Sequence, residues 1–301
     1  MDHTVTRRGV VALAAAGLAG CLGSDDEQSD DPADTDDSAD SDTDSDPESN
    51  GDDAGSLEPP ERDIEPDWEA AAEFRTWLLA DTVLDGNRRF DYTSVFPEGT
   101  ELGAGFPDAV GLSTDTVDGH LIQSYTQVFF GTFDPEAVRE AVSEDAETAD
   151  DLEVVDDYEG YAVLEQSVGG DTRRLAVGPD AVVVGRDYER RIDAHRGEYE
   201  RLEEADSEFT HLFRELPHDE TITGHYGAPA AEGVDVDGVY LWGVSSESPT
   251  ADELTWKFVF AREADLTEDA LTSLEEISAD VRESGIDGRT ATVVGAPPSF
   301  S

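Results

Sequence analysis

Cysteine and lysine are almost missing from this chain. Cys21 is the only cysteine among 301 residues. That excludes an intramolecular disulfide and any Cys-based metal cluster, so stability has to come from the packed core. Lys257 is the only lysine, and the 19 basic residues stand against 73 acidic ones, a formal net charge of −54. A surface this negative repels phosphate backbones, and no nucleic-acid partner is expected. Asn50 and Asn87 are the only asparagines and neither begins an N-x-Ser/Thr sequon, which excludes N-glycosylation. The chain has no G-x-S-x-G, S-x-x-K, H-E-x-x-H or G-x-x-x-x-G-K-[ST] motif, and Gly103-Ala104-Gly105 stops short of the third glycine of a dinucleotide loop. Motifs therefore assign no catalytic residue and no cofactor.

Long hydrophobic runs are also lacking. The longest uncharged apolar stretch, Gly9 to Gly20, is shorter than the roughly 20 residues a membrane helix needs. Arg7 and Arg8 precede it as a charged n-region, and together they read as a signal peptide over 1–20. The paired arginines resemble a twin-arginine export signal, although Thr6-Arg7-Arg8-Gly9-Val10-Val11 lacks the Phe and Lys often found further along. Leu18-Ala19-Gly20-Cys21 matches the lipobox of secreted lipoproteins, in which cleavage before the cysteine leaves Cys21 as a lipidated first residue. Two lipid chains anchor stably where one is marginal, and the resemblance implies a diacyl-type or equivalent archaeal lipid.

Residues 21–63 read as the lipidated cysteine followed by a tether. From Leu22 to Ser56 there are fifteen acidic residues, no basic residue and no aromatic one. Such a segment cannot bury enough apolar surface to offset its ordering entropy. Asp42-Thr43-Asp44-Ser45-Asp46 starts like a calcium loop, but Pro47 and Asp53 replace the glycine and glutamate that an EF-hand requires. The acidity, Arg7-Arg8 and the Leu18 to Cys21 lipobox together resemble the exported lipoproteins of unknown function of halophilic archaea. Further phrases share that resemblance: Phe133-Asp134-Pro135-Glu136-Ala137-Val138, Tyr158-Glu159-Gly160-Tyr161, and Ile192-Asp193-Ala194-His195-Arg196-Gly197-Glu198. The resemblance implies a cell-surface protein lipid-anchored to the outer face of the cytoplasmic membrane; it brings no activity with it.

Beyond the tether, apolar spacing predicts a helix from Trp68 to Leu84, a strand at 89–96, and a long strand at 121–133 that enters a helix capped by Asp134. Strands at 161–168, 173–177 and 181–185 follow, then a helical region to Glu204. A second round comprises a helix at 206–216, strands at 221–226, 238–244 and 254–262, a helix at 267–283, and a strand at 290–295. Val117-Asp118-Gly119 is matched with Val236-Asp237-Gly238, and Phe129 ahead of Asp134 with Phe260 ahead of Asp265. The expected fold is α+β, with mostly antiparallel sheets backed by helices. It is read as two divergent copies of a helix-β-β-β-α-β unit, the first over 64–204 and the second over 205–301.

Candidate site residues are few. His211, His218 and His225, with Asp219 and Glu220 between them, offer imidazoles for a metal, though a seven-residue spacing across helix, turn and strand aims them at no common point. Strand alternation places Tyr240, Trp242 and Val244 on one face and Trp256, Phe258 and Phe260 on another, as a stacking platform for a sugar or apolar ligand or simply as core. The arginine pairs at 88/89, 173/174 and 190/191 read as local counter-ions. The expected function is a non-enzymatic surface module that binds a protein, polymer or small ligand. A secreted hydrolase with an Asp/Glu/His site and a cation-binding module are the alternatives.

From Ile64 onward the sequence still carries 54 acidic and 16 basic residues. Their mutual repulsion is screened at molar salt, where the Debye length falls to about 3 Å. A chain starting at Ile64 is expected to lose its circular-dichroism signal as salt is dialysed away; equal melting temperatures in dilute buffer and molar KCl would contradict a halophilic fold.

Overall fold

A computed structural model describes residues 59–80, 89–102, 106, 108–144, 152–168, 171–229, 231 and 234–298. The export stretch, Cys21 and the tether through residue 58, with its Asp42 to Asp53 stretch, lie outside the described residues. Segments rich in Val, Tyr, Phe, Trp and Thr form one sheet of twelve strands. They are β1 (Arg89–Thr93), β2 (Val117–Gln123), β3 (Thr126–Gly131), β4 (Leu152–Tyr158), β5 (Tyr161–Val168), β6 (Asp171–Val177), β7 (Ala181–Val184), β8 (Thr221–Tyr226), β9 (Val239–Ser246), β10 (Leu254–Phe260), β11 (Val281–Asp287) and β12 (Thr290–Gly295). Their spatial order is β11-β12-β10-β9-β8-β1-β2-β3-β7-β6-β5-β4, and every pairing is antiparallel. Among the described residues the helices bounded at both ends are α1 (Pro135–Glu144), α2 (Tyr188–Arg196), α3 (Leu202–Ala205), α4 (Ser207–Glu215) and α5 (Glu268–Glu275), with a 3-10 helix at Glu73–Trp77 and shorter 3-10 turns at Asp108–Val110 and Glu263–Asp265. The chain is thus α+β and mostly antiparallel sheet.

Alternating side chains bury both faces of this sheet. On one face a single core runs across its middle, from Phe74 and Trp77 through Phe90, Leu121 and Val183 to Phe209, Leu212 and Val259. The 3-10 helix, α2, α3 and α4 cover it. On the other face there are two separate cores. Phe129, Leu164 and Val182 pack with Val138 of α1. Trp242, Trp256, Phe258 and Phe260 pack with Leu271 and Leu274 of α5. Neighbours such as Phe129 and Phe130, or Val182 and Val183, serve opposite faces. Each such fully buried side chain stabilises the fold by about 1.5–3 kcal/mol.

Several expected elements take another form. Of the helix expected from Trp68 to Leu84, the described residues form a 3-10 helix at Glu73–Trp77 and then an extended stretch at Leu78 and Leu79, where the amide of Gln123 claims the backbone: Leu79 N–H donates to Gln123 Oε1 at 3.1 Å and Gln123 Nε2 donates to Leu79 O at 3.0 Å; residues 81–84 lie outside the described residues. The strand expected over 121–133 belongs to a hairpin, β2 and β3. Its turn residues Ser124 and Tyr125 have φ of 49° and 66°, the tight-turn conformation normally signalled by Asn-Gly. Helix 267–283 ends at Glu275 and gives way to β11. Val236-Asp237-Gly238 precedes β9, whereas Val117-Asp118-Gly119 begins β2.

The two expected aspartate caps part company. Asp134 Oδ1 accepts from the amides of Glu136 and Ala137 at 3.1 and 3.0 Å and caps α1. Asp265 caps nothing: it closes a 3-10 turn at Glu263–Asp265 and accepts from Arg262 Nε at 3.0 Å, while Thr267 caps α5 by accepting from Ala270 N at 3.2 Å. Asp134→Ala and Thr267→Ala are therefore each expected to cost about 0.5–2 kcal/mol in denaturant unfolding at molar salt. Asp265→Ala, which removes only an exposed ion pair, should cost less than about 1 kcal/mol. Equal losses at Asp265 and Thr267 would contradict this assignment of the cap.

Candidate functional sites

A large cleft opens beside α3, where the described chain begins. It encloses about 1000 Å³ between residues 59–66, Trp68, Ala80, residues 203–208, Tyr226 and Tyr240. Its three central carboxylates come from the α3–α4 junction, and each is already engaged. Glu203, buried, takes both donors of Arg75 at 2.7 and 2.6 Å. Glu208, also buried, takes Arg62 Nε at 2.8 Å and the guanidinium of Arg289. Asp206 caps α4 through Oδ1, which accepts from Glu208 N at 2.9 Å, and accepts the hydroxyls of Tyr226 and Tyr240 on Oδ2 at 2.6 and 2.7 Å. Burial and then the carboxylate of Asp206 push both tyrosines well above the ordinary phenol range. Trp68 is held at the rim under the guanidinium of Arg201, 4.4 Å from its ring centre. The cleft is consequently a preformed, acceptor-rich wall with aromatic surfaces at its edge.

A second cluster joins three distant parts of the chain. Glu73 starts the 3-10 helix, Asp180 lies in the β6–β7 turn, and His195 sits in the last turn of α2; their ligand-capable atoms lie within 4.8 Å of one another. His195 Nε2 is 3.4 Å from Asp180 Oδ2, and its ring stacks on Trp77 at 4.5 Å. Tyr161 donates to Asp180 Oδ1 at 2.7 Å. That contact requires Gly178, since a Cβ there would stand 2.1 Å from the Tyr161 ring. Contact with His195, reinforced by Tyr161, holds the Asp180 carboxyl below the usual range against the opposing effect of burial. Burial raises that of Glu73, an effect eased by His195 and increased by Asp180. Three separate segments thus present an imidazole between two carboxylates.

The expected histidine trio is dispersed. His211, on α4, contacts Thr290 Oγ1 through Nε2 at 2.8 Å. His218 lies 3.8 Å from Glu220, and His225 stacks on Trp242 on the opposite face of the sheet from α4. Trp242, Trp256 and Phe258 are core, at most 4% exposed. Tyr240 alone among the expected aromatics reaches a cleft. It does so because it is the extra residue of a β-bulge: Val259 pairs with Leu241 and Phe260 with Val239, which turns Tyr240 away from the face of Trp242. Of the arginine pairs, Arg191 is fully buried and bonded to Asp187, while Arg174 meets Glu165 at 3.5 Å. Glu73, Asp180 and Asp206 went unnoticed in the sequence, since nothing local distinguishes them among 73 acidic residues. No family model, curated protein or solved structure matches this chain.

Proposed function

We propose that this protein is a lipid-anchored surface protein of a halophile whose folded part is a non-enzymatic binding module, with the cleft beside α3 as its ligand site. The observation that carries this reading is the engagement of every central carboxylate of that cleft. Oxygens already accepting from guanidinium, phenol or amide groups are poor proton shuttles, but they keep lone pairs for further donors. Open, acceptor-lined walls edged by Trp68 and Tyr240 suit an uncharged, hydroxyl-rich ligand such as an oligosaccharide, whose hydroxyls donate while its apolar faces rest on the rings. The strongly negative chain disfavours anionic ligands. The cleft begins where the acidic tether joins the folded part, so a tether lipidated at Cys21 would hold it clear of the membrane.

We also infer an internal duplication, with a register different from the one suggested by the aspartates. In support, β1-β2-β3 with α1 and then β6-β7, and β8-β9-β10 with α5 and then β11-β12, follow the same spatial order, with the last strand pairing on the third each time. Each half also has a bulge at the second residue of its second strand, Asp118 in one and Tyr240 in the other. Matching the bulges lays Gly119 on Leu241 and Phe129 on Phe258, and it carries Asp91 onto Thr223, which are direct partners in the β1–β8 pairing. Two equivalent residues facing each other in an antiparallel pair is the signature of a local two-fold axis. The hairpin β4–β5 is then an addition to the first copy.

Two measurements test the functional reading. Cys21→Ser is expected to release the protein from the membrane fraction, because no other apolar stretch in the sequence is long enough to insert; a variant that stays tightly membrane-bound would rule out the anchor. Titration at molar salt with neutral oligosaccharides of increasing length should give a saturable change in tryptophan emission, weakened at least about tenfold by Tyr240→Ala or Trp68→Ala, consistent with about 1.4 kcal/mol of lost contact. Unchanged emission across the series, or binding indifferent to both substitutions, would refute the cleft as a saccharide site.

A further inference from the structure

We propose that Glu73, Asp180 and His195 form a binding site for a divalent first-row transition metal of the zinc type. The inference does not rest on the cleft, which is built from other residues. Its starting point is the proton on the imidazole. Thr76 Oγ1 lies 2.8 Å from the backbone oxygen of Glu73, which can only accept, so the single hydroxyl hydrogen is committed there. The same oxygen lies 2.9 Å from His195 Nδ1 and must therefore accept from it. The neutral ring is thus fixed as the Nδ1–H tautomer, and Nε2 turns its lone pair toward Asp180 Oδ2 at 3.4 Å. An acceptor nitrogen facing acceptor oxygens is repulsive until a cation or a proton lies between them. The tautomer and the carboxylates together describe a place for positive charge.

The surroundings are those of a metal site rather than of a chance ion pair. Histidine ligands characteristically donate their second nitrogen to an oxygen that fixes the ring, and ligating carboxylates are themselves held by hydrogen bonds. Thr76 does the first for His195, and Tyr161 does the second for Asp180 by occupying Oδ1 and leaving Oδ2 to face the imidazole. Trp77 stacks on the ring, and the backbone behind it is closed by Gly197, in the left-handed conformation at φ 76°, with Arg201 donating to Ala194 O and His195 O at 2.6 and 3.0 Å. The Asp180 turn is pinned as well, its carbonyl accepting from Gly131 N at 3.0 Å. Glu73, exposed, places its carboxylate within 4.8 Å of the other two groups as the third ligand. One nitrogen and two oxygen donors select zinc-like ions over magnesium or calcium, which favour all-oxygen shells, and three protein ligands leave a position for water.

The test uses the full chain in molar KCl, stripped of metal with a chelator, and Co²⁺ as the probe. One equivalent of Co²⁺ should bind saturably with new visible d–d absorption, one equivalent of Zn²⁺ should displace it, and Mg²⁺ at a hundredfold excess should not. His195→Ala and Asp180→Asn should abolish the absorption. Glu73→Gln, at an exposed position that leaves the fold intact, should weaken binding. Thr76→Val, which removes only the hydroxyl that fixes the tautomer, should weaken it by about 10–100-fold with an unchanged circular-dichroism spectrum. The proposal is overturned if Co²⁺ shows only the spectrum of the hydrated ion, if Mg²⁺ displaces it, or if well-folded Glu73→Gln and Thr76→Val bind as the unaltered chain does, which is the behaviour of counter-ions gathered loosely by a negative surface.

Discussion

Arg191 is the side chain on which the arrangement of the first half depends. Its guanidinium is wholly buried, an arrangement costly in free energy unless every donor is met. Here Asp187 Oδ2 accepts at 3.1 Å, Trp77 O at 3.0 Å and Gln123 O at 3.2 Å, and Gln123 Oε1 accepts as well. Gln123 in turn holds the backbone of Leu79, and Asp187 takes the hydroxyl of Thr126. One cation thus ties α2, the end of β2, the start of β3 and the extended chain after the 3-10 helix into one unit. The consequence reaches one turn along α2: with Arg191 docked, His195 is set against Trp77 and Thr76, and so against Glu73. Removing one partner of so enclosed a charge typically costs about 3–5 kcal/mol, far more than any surface ion pair of this chain.

The acidic surface is compatible with this interior because the charges and the core occupy different places. The outermost strands, β4 and β11, are exposed along most of their lengths and carry Glu153, Asp156 and Asp157, or Glu283 and Asp287. A sheet of twelve strands has two open edges whose unpaired amides invite a further strand from another molecule, and like charge along both discourages it. Several of the arginines are placed close to the core instead. Arg62, Arg75, Arg191, Arg201 and Arg289 each neutralise a buried or half-buried acceptor, and the scarcity of lysine is consistent with this use, since the planar guanidinium can meet two acceptors at once.

Strands inside the two edges were legible in the sequence at several places where both of their faces are buried, as in Tyr161–Val168, Ala181–Val184 and Leu254–Phe260. Their apolar runs leave no other reading. Legibility failed where a side chain took over a backbone role. Gln123 took the backbone of Leu79 out of a helix that periodicity favoured across it, and Ser124-Tyr125 made a tight turn without glycine or asparagine. It failed again at β4 and β11, since a strand exposed on both faces shows no alternation to read. The bulge at Tyr240 reversed the face expected for that residue, because one extra residue undoes the period of two. The cluster of Glu73, Asp180 and His195 was invisible for a simpler reason: its members come from three elements that only the tertiary fold brings together.

On the duplication we infer, each candidate site draws part of its residues from what the two copies do not share. The matched bulges hold Asp118 in the first half and Tyr240 in the second, so the backbone irregularity is common and the side chain it re-aims is not. Tyr240 completes the cleft with Asp206, and Asp118, exposed, adds negative charge that acts on Glu73. Residues 59–66 and α3 for the cleft, and α2 for the imidazole, are segments without a counterpart, whereas Asp180 lies in the β6–β7 turn, which answers the β11–β12 turn. The strand pairing across the β1–β8 seam, where Thr223 Oγ1 donates to Asp91 Oδ1 at 2.6 Å, needs none of these. All of them lie over the one face whose core is continuous between the halves. On that face a bulge, a helix pair and an incoming segment can be added without disturbing the strand register, which is where the inferred copies would be free to differ.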